Sequence, residues 1–271
     1  MGKKQPKIPG TESQDKGRTY CGREVPEYEA LAVGRYTQAL KYIKAGDICL
    51  DAASGSGYGT AMMADKAREV VGLEIDDEAI AYARKRYKLN NITFKKADLT
   101  RNLDLQDNYF DVVVSIETLE HITGHDILLR EFCRVLKPGG ILIASTVEHH
   151  VYYDLGGIHN KHHIGEMTKK ELLEAISKYF KPEEIYGQQR YVPLSAFGKI
   201  KQSLWVFFLK SVGKIDIFNL RYPVGSLLRL DTAVDNVNAG LSVMKDTGME
   251  RTDFTDKNDF YQLMVIARKI S

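Results

Sequence analysis

Ile48-Cys49-Leu50-Asp51-Ala52 and the loop that follows it, Ala53-Ser54-Gly55-Ser56-Gly57-Tyr58-Gly59-Thr60, decide the fold of this chain. The first run is short and largely apolar, which predicts a buried strand. The three glycines allow the backbone to approach a ligand closely, and a helix is expected from about Gly57 to Lys66. A strand, a glycine loop and a helix in this order indicate an open α/β sheet that binds its ligand at the carboxyl ends of its strands.

Strands and helices continue to alternate after this unit. Apolar runs predict strands at 70–74, 92–96, 111–116 and 141–145, separated in part by helices at 76–88 and 124–136. Alternation of this kind predicts parallel strands joined by right-handed crossovers, in an α/β, doubly wound sheet. Outside this region the patterns predict helices at 27–44 and 169–180, and strands at 184–188 and 261–267.

Composition suits one domain of ordinary globular type. The chain has 271 residues, of which 44% are hydrophobic and 27% are charged. Residues 1–18 are polar and are expected to form a flexible tail, which leaves residues 19–271 as a single domain. Residues 190–250 predict a helical insertion or cap, placed just before the last strand.

Charge and cysteine content narrow the setting in which the chain works. The formal net charge of +2 gives no general attraction to nucleic acid or to anionic lipid. The three cysteines are far apart in the sequence and have no metal-site spacing, which fits a reducing compartment. No apolar signal segment follows Met1, so the expected location is cytoplasmic.

The residues at the strand ends predict a ligand without phosphate. Asp51 ends the first strand with no basic residue nearby, and Thr60 stands where a dinucleotide loop has Gly or Ala, which argues against a dehydrogenase. S-adenosylmethionine carries an ammonium and a sulfonium group, and it fits this acidic strand end. Glu74, about 20 residues further on, is placed to accept hydrogen bonds from ribose hydroxyls. Asp98 is placed to accept one from the adenine amino group.

Five motifs in order resemble those of class I S-adenosylmethionine-dependent methyltransferases. They are residues 51–59, 71–74, 97–98, 110–115 and 136–140. The resemblance implies a single methyltransferase domain with a seven-stranded sheet, mostly parallel, whose last strand is antiparallel. Ala53 departs from the family, which usually has Gly there. The cofactor-binding residues implied are Asp51, Ala53, Gly55, Gly57, Glu74, Ile75, Asp98, Leu99 and Ser115.

All seven histidines lie between His121 and His163, at the edge where the sulfonium is expected. One interpretation is a metal site, because residues 117–121 and 163–168 resemble metal-dependent O-methyltransferases, including small-RNA 2′-O-methyltransferases and ubiquinone-pathway enzymes. The ligands implied are Glu117, Glu120, His121 and His163. Carboxylates with imidazoles suit Mg²⁺ or Mn²⁺, which would hold an acceptor hydroxyl and lower its pKa.

Two other interpretations of this cluster remain open. A histidine is a general base without metal in the first, because imidazole titrates near neutral pH. His121 is then the first catalytic residue to consider and His163 the second. In the other interpretation, Glu120 and His121 only cap the following helix and order the loop.

The acceptor is the least determined part of the prediction. Residues around Val25-Pro26 and Tyr28, together with the glycine loop, resemble methyltransferases associated with bacterial polysaccharide biosynthesis, which favours O-methylation of a sugar or another small hydroxylated acceptor. The alternatives are a sugar N-methyltransferase, an RNA 2′-O-methyltransferase and a non-catalytic cofactor-binding protein. The expected partner is a small-molecule or glycan acceptor, with no basic track for nucleic acid. Aromatic residues at 195–220 leave a peripheral membrane contact open.

Overall fold

An eight-stranded sheet organises the part of the chain that the computed structural model describes, residues 26–149, 162–188, 249–252, 260 and 262–270. The strands are β1 Ile48–Ala52, β2 Glu69–Glu74, β3 Ile92–Lys96, β4 Phe110–Ile116, β5 Leu136–Val147, β6 Phe180–Gln188, β7 Met249–Thr252 and β8 Gln262–Lys269. The α-helices are α1 Pro26–Ala39, α2 Tyr58–Ala64, α3 Asp77–Arg86, α4 His125–Val135 and α5 Lys169–Ser177. Short 3₁₀ helices occupy Leu40–Tyr42 and Leu119–His121.

The strand order β3-β2-β1-β4-β5-β8-β6-β7 places a ligand crevice at the centre of the sheet. Strands β1 to β5 are mutually parallel, whereas β8 runs antiparallel to both of its neighbours, β5 and β6. The chain order reverses between β1 and β4, and ligands of open α/β sheets bind at such a reversal. The predicted parallel sheet and the antiparallel last strand are therefore present.

The predicted number of seven strands is wrong, because β7 adds an eighth at the sheet edge. It pairs antiparallel with β6, from Ile185↔Thr252 to Gln188↔Met249. Its sequence, Met249-Glu250-Arg251-Thr252, has no apolar alternation, so no sequence pattern predicted it. The first two residues of β7 also lie inside the predicted helical insertion 190–250. The rest of that insertion and the predicted tail 1–18 lie outside the described residues.

Helices cover both faces of the sheet, as expected for a doubly wound fold. Helices α4 and α5 pack against one apolar cluster that includes Leu50 and Val113. Helices α1 and α2 pack against another that includes Cys49 and Val112. Neighbouring residues of β1 and β4 thus point to opposite, equally buried faces, which is why these strands are continuous apolar runs. No helix among the described residues is long and apolar enough to cross a membrane.

Two glycines bring α2 close to the strands beneath the site. Gly57 has φ +85°, in the left-handed region that favours glycine. Gly59 lies against the ring of Tyr36 from α1, where a Cβ atom would be only 2.0 Å from Tyr36 Cζ. The close approach positions Tyr36 over the end of β1.

Candidate functional site

A cavity of about 510 Å³ opens at the carboxyl edge of the parallel strands, where the strand order reverses between β1 and β4. Its size lies within the range of small-molecule sites. The loops after β1, β2 and β3 line one half. The loop after β4 and the segment before α5 line the other, and Arg35 and Tyr36 of α1 complete the lining. The cavity therefore has a half suited to a cofactor and a half suited to an acceptor.

Six of the nine predicted cofactor residues line this cavity, namely Ala53, Gly55, Glu74, Ile75, Asp98 and Leu99. Asp51, Gly57 and Ser115 do not line it. Gly57 starts α2, and Ser115 is fully buried within β4. Ser54 and Tyr58 of the same glycine loop, which the prediction did not include, line the cavity.

Asp51 is fully buried and bonded within the protein instead of facing the cavity. Its carboxylate accepts hydrogen bonds from the Tyr36 hydroxyl at 2.9 Å and the Thr60 hydroxyl at 2.6 Å. Burial raises the pKa of Asp51 to about 6, although the two hydroxyl groups oppose that shift. The hydroxyl of Thr60 thus has a local function, which explains why Gly or Ala does not stand there.

Glu74 ties the glycine loop to the end of β2. Its Oε2 accepts a hydrogen bond from the backbone N–H of Gly55 at 3.0 Å, and its Oε1 accepts from the N–H groups of Ile75 at 2.8 Å and Asp76 at 2.9 Å. Glu74 also lines the cavity, where a carboxylate oxygen can accept a hydrogen bond from a ligand hydroxyl. Contact of Glu74 with a ribose stays a prediction.

Asp98 lies at the opposite wall of the cofactor half. Its Oδ1 accepts hydrogen bonds from the hydroxyl of Thr100 at 2.6 Å and from its backbone N–H at 2.9 Å. These bonds, with the nearby Arg101, lower the pKa of Asp98 below its ordinary value. The group is therefore ionised at neutral pH and acts as an acceptor of hydrogen bonds, as contact with an adenine amino group requires.

Three of the four predicted metal ligands come together in the acceptor half. Side-chain ligand atoms of Glu120, His121 and His163 all lie within 4.8 Å of one another. The rings of His121 and His163 meet edge to face, with centroids 4.9 Å apart. One carboxylate and two imidazoles fit the donor set of a divalent ion such as Mn²⁺. His121 and Glu117 line the cavity itself, whereas Glu120 and His163 do not.

Glu117 is not one of that group of three, although its charge acts on both Glu120 and His121. Its φ of +51° is a conformation that non-glycine residues rarely adopt. Its Oε1 accepts a hydrogen bond from the Ser145 hydroxyl at 3.0 Å, and its Oε2 accepts from the Gln262 amide. The prediction of Glu117 as a metal ligand is therefore not supported by the cluster geometry.

The electrostatics of Glu120 and His121 follow from their burial. Glu120 is 1% exposed, and burial together with the charge of Glu117 raises its pKa above the ordinary value. Its carboxyl group accepts a hydrogen bond from the Thr146 hydroxyl at 2.8 Å. Desolvation lowers the pKa of His121, so its imidazole is neutral at pH 7. A neutral imidazole has one nitrogen lone pair to bind an ion or a proton.

Arg35 is a buried residue of the cavity wall that sequence reasoning missed. It is 6% exposed, lines the cavity, and donates from Nη1 to the side-chain oxygens of Gln188, at 2.8 Å, and Gln262. Its Nε has no hydrogen-bond partner among the described residues and lies 3.9 Å from Glu117 Oε1. Its partners are 153 and 227 residues away in sequence, so no local pattern indicated that this arginine is buried.

Comparison with known proteins agrees with this geometry. A family model described as a methyltransferase domain matches residues 50–144. A protein named "Probable S-adenosylmethionine-dependent methyltransferase" from Mycolicibacterium smegmatis is 33% identical over 153 residues, 55% of this chain and 58% of that protein. The ubiquinone/menaquinone biosynthesis C-methyltransferase of Shewanella baltica is 32% identical over 151 residues, 51% of this chain and 59% of that enzyme.

A solved structure extends the likeness in fold to most of the chain. The S-adenosylmethionine-dependent methyltransferase of Mesorhizobium loti superimposes with a TM-score of 0.52 and 17% identity, covering 90% of this chain and 98% of that one. This likeness concerns the fold alone. The chain spans 58% and 59% of the length of the two curated relatives. Residues 50–144 of this chain thus match a methyltransferase domain, and the chain is similar in sequence to a protein named as an S-adenosylmethionine-dependent methyltransferase.

Proposed function

We propose that this chain transfers a methyl group from S-adenosylmethionine to a hydroxyl oxygen of a small acceptor such as a sugar. The observation that carries the proposal is the cavity shared by cofactor residues and by His121. Glu74 and Asp98 lie on its cofactor half, and His121 lies on its acceptor half. Transfer is an in-line displacement in which the acceptor oxygen attacks the methyl carbon and the sulfur leaves. Holding both molecules in line supplies most of the rate enhancement.

The cofactor half accounts for the recognisable groups of S-adenosylmethionine. Glu74 accepts from the ribose hydroxyls, and Asp98 accepts from the adenine amino group. Ile75 is 52% exposed and lines the cavity, so it offers an apolar surface for the adenine ring. Arg35 supplies a buried cation with an unbonded Nε, which suits the carboxylate of the methionine moiety.

The acceptor half is arranged to activate a hydroxyl group. The Nδ1 of His121 lies 3.0 Å from the backbone oxygen of His162. A carbonyl oxygen only accepts, so Nδ1 carries the proton and the lone pair is on Nε2. That lone pair, with the carboxylate of Glu120 and the imidazole of His163, favours a bound Mg²⁺ or Mn²⁺ ion. When bound, such an ion lowers the pKa of an acceptor hydroxyl.

A histidine base is the second candidate mechanism, and the same observation about His121 supports it. A neutral imidazole at the cavity wall accepts the hydroxyl proton directly as the carbon–oxygen bond forms. His163 follows as the second base candidate because its ring contacts that of His121. Similarity to a C-methyltransferase adds a carbon acceptor to the alternatives, with the same base withdrawing a proton from carbon.

Calorimetric titration of Mn²⁺ into protein saturated with S-adenosylhomocysteine separates the two mechanisms. Saturable binding that is lost in Glu120→Ala supports the metal. The matched control is Glu78→Ala, on the exposed face of α3, which leaves binding unchanged. No binding of Mn²⁺ to the wild type favours the histidine base. Failure of the protein to bind S-adenosylhomocysteine at all contradicts the proposed function.

A further inference from the structure

We propose that Glu166 is a positioning residue. It holds His163 and His149 in one tautomer, and so directs the lone pair of His163 Nε2 toward the candidate metal site formed by Glu120, His121 and His163. Nothing in the sequence motifs assigns this role to Glu166. The inference deepens the proposed function, and its consequence for acceptor activation rests on that function. We define the Glu166 clamp as Glu166 with the two imidazoles that it bonds.

The clamp is defined by two hydrogen bonds to one buried carboxylate. Glu166 Oε1 lies 2.7 Å from His163 Nδ1, and its Oε2 lies 3.0 Å from His149 Nδ1. The side chain of Glu166 is only 5% exposed, and that of His163 is 10% exposed. A carboxylate accepts hydrogen bonds, so both imidazoles present an Nδ1–H to it. In a neutral imidazole the lone pair then belongs to Nε2.

Backbone contacts fix the clamp against the turn that carries Glu120 and His121. The N–H of Gly165 donates to the backbone oxygen of Glu120 at 2.9 Å. A Cβ atom at Gly165 would lie 1.9 Å from the backbone oxygen of Ile122, so the two segments are in close contact. The N–H of His149 donates to the backbone oxygen of Met167 at 3.1 Å. Main-chain bonds thus hold His149 and the segment between His163 and Glu166, and the Glu166 carboxylate contacts the two rings.

Through the Glu166 clamp, His163 has the same tautomer as His121. His121 is held in the Nδ1–H form by the carbonyl of His162, and His163 is held in the same form by Glu166. Each ring contributes one ligand atom to the group that it forms with Glu120. A ligand nitrogen needs a lone pair, so Nε2 is the nitrogen that each ring can offer to an ion. Outer partners of this kind typically change metal affinity 10- to 100-fold when removed. A single histidine base does not need a second ring in the same tautomer, whereas a metal site does.

The test reads the tautomers directly, by long-range nitrogen–proton NMR of protein labelled with ¹⁵N-histidine. Spectra are taken without metal, cofactor or acceptor, at about pH 8.5, where imidazoles of ordinary pKa are neutral. His163→Gln and His149→Gln assign the signals. The wild type is expected to show both rings in the Nδ1–H form. His125, whose Nε2 lies 2.9 Å from the backbone oxygen of Leu119, is the internal control in the Nε2–H form.

Substitution of Glu166 must then release the rings. In Glu166→Ala, His163 and His149 are expected to shift toward the Nε2–H form, while His125 is unchanged. If the Glu166→Ala protein fails to fold, Glu166→Gln is the second variant. The glutamine amide has one oxygen in place of two, so only one of the two imidazoles keeps its hydrogen bond. The matched control is Glu174→Gln on the exposed face of α5, with no change. His163 in the Nε2–H form in the wild type, or unmoved in both Glu166 variants, overturns the proposal. The spectra are taken without any ligand, so the tautomer result does not depend on the binding of S-adenosylhomocysteine. A protein that fails to bind S-adenosylhomocysteine refutes only the proposed function.

Discussion

Gly59→Ala is the substitution for which local and tertiary reasoning predict opposite signs. Gly59 lies in helix α2, where alanine is favoured over glycine by about 1 kcal/mol on helix propensity alone. The tertiary structure reverses this expectation. A Cβ atom at Gly59 would lie 2.0 Å from Cζ and 2.2 Å from Cε1 of Tyr36, within the ring itself. Carbon atoms in contact are normally about 3.5 Å apart, so the ring or the helix must move by about 1.5 Å.

The magnitude follows from what that movement disrupts. Overpacking a well-packed core typically costs about 1–3 kcal/mol. Tyr36 is 3% exposed and donates to the fully buried Asp51, and loss of such a bond costs about 1–3 kcal/mol more. We expect a net destabilisation of about 3 kcal/mol, against a typical total stability of about 5–15 kcal/mol. Cofactor affinity should fall as well, because Tyr36 lines the cavity.

Equilibrium unfolding in urea measures the effect, with Gly46→Ala as the control. Gly46 is exposed and has no positive φ, and a Cβ atom there would meet nothing within 4 Å, so its substitution should change stability by less than about 0.5 kcal/mol. Combining Gly59→Ala with Tyr36→Ala should cost less than the sum of the two, because the second change removes the clash. A Gly59→Ala protein as stable as the wild type would refute the packing argument.

Two further predictions concern the carboxylates of the site, and a third concerns Arg35. Because burial raises the pKa of Asp51 to about 6 from an ordinary value of about 3.9, its contribution to stability is full below about pH 4 and is lost as the pH rises through about 6. Asp51→Asn lacks this titration. Between about pH 4.5 and 7.5 the free energy of unfolding of the wild type, measured in urea, should therefore fall by on the order of 2 kcal/mol relative to that of the variant. Parallel pH profiles of the two proteins would contradict the raised pKa of Asp51. Glu74→Ala should weaken S-adenosylhomocysteine and 5′-methylthioadenosine at least tenfold, about 1.4 kcal/mol, since both carry the ribose. Arg35→Gln should weaken only the former, which alone carries a carboxylate; equal losses for both ligands would remove Arg35 from that role.

Local patterns in the sequence were sufficient for strands β1 to β4, but not for the bounds of β5, predicted at 141–145 and observed at Leu136–Val147. The predicted bounds of β1 and β3 agree with the structure, and β2 and β4 differ by one residue. β1, β2 and β4 are read correctly because continuous apolar runs report burial on both faces, which the parallel sheet then provides. β3 buries only Phe94 and was read from its alternation. The loops after them carry Gly55, Glu74 and Asp98 to one edge, since parallel strands end on the same side. The cofactor half of the cavity was therefore predictable before any tertiary contact was known.

Contacts between distant segments decided the rest. β7 exists only because it pairs with β6, more than sixty residues earlier, and its four residues have no pattern of their own. Glu117 and Glu120 look equivalent in sequence, but Glu117, with its left-handed backbone, bonds to Ser145 and Gln262, whereas Glu120 joins His121 and His163. Local periodicity reports which face of an element is buried, but not which side chain of another element it meets. For that reason the sequence determined the sheet and the cofactor edge, and only the tertiary structure decided the partners of Asp51, Arg35 and Glu166.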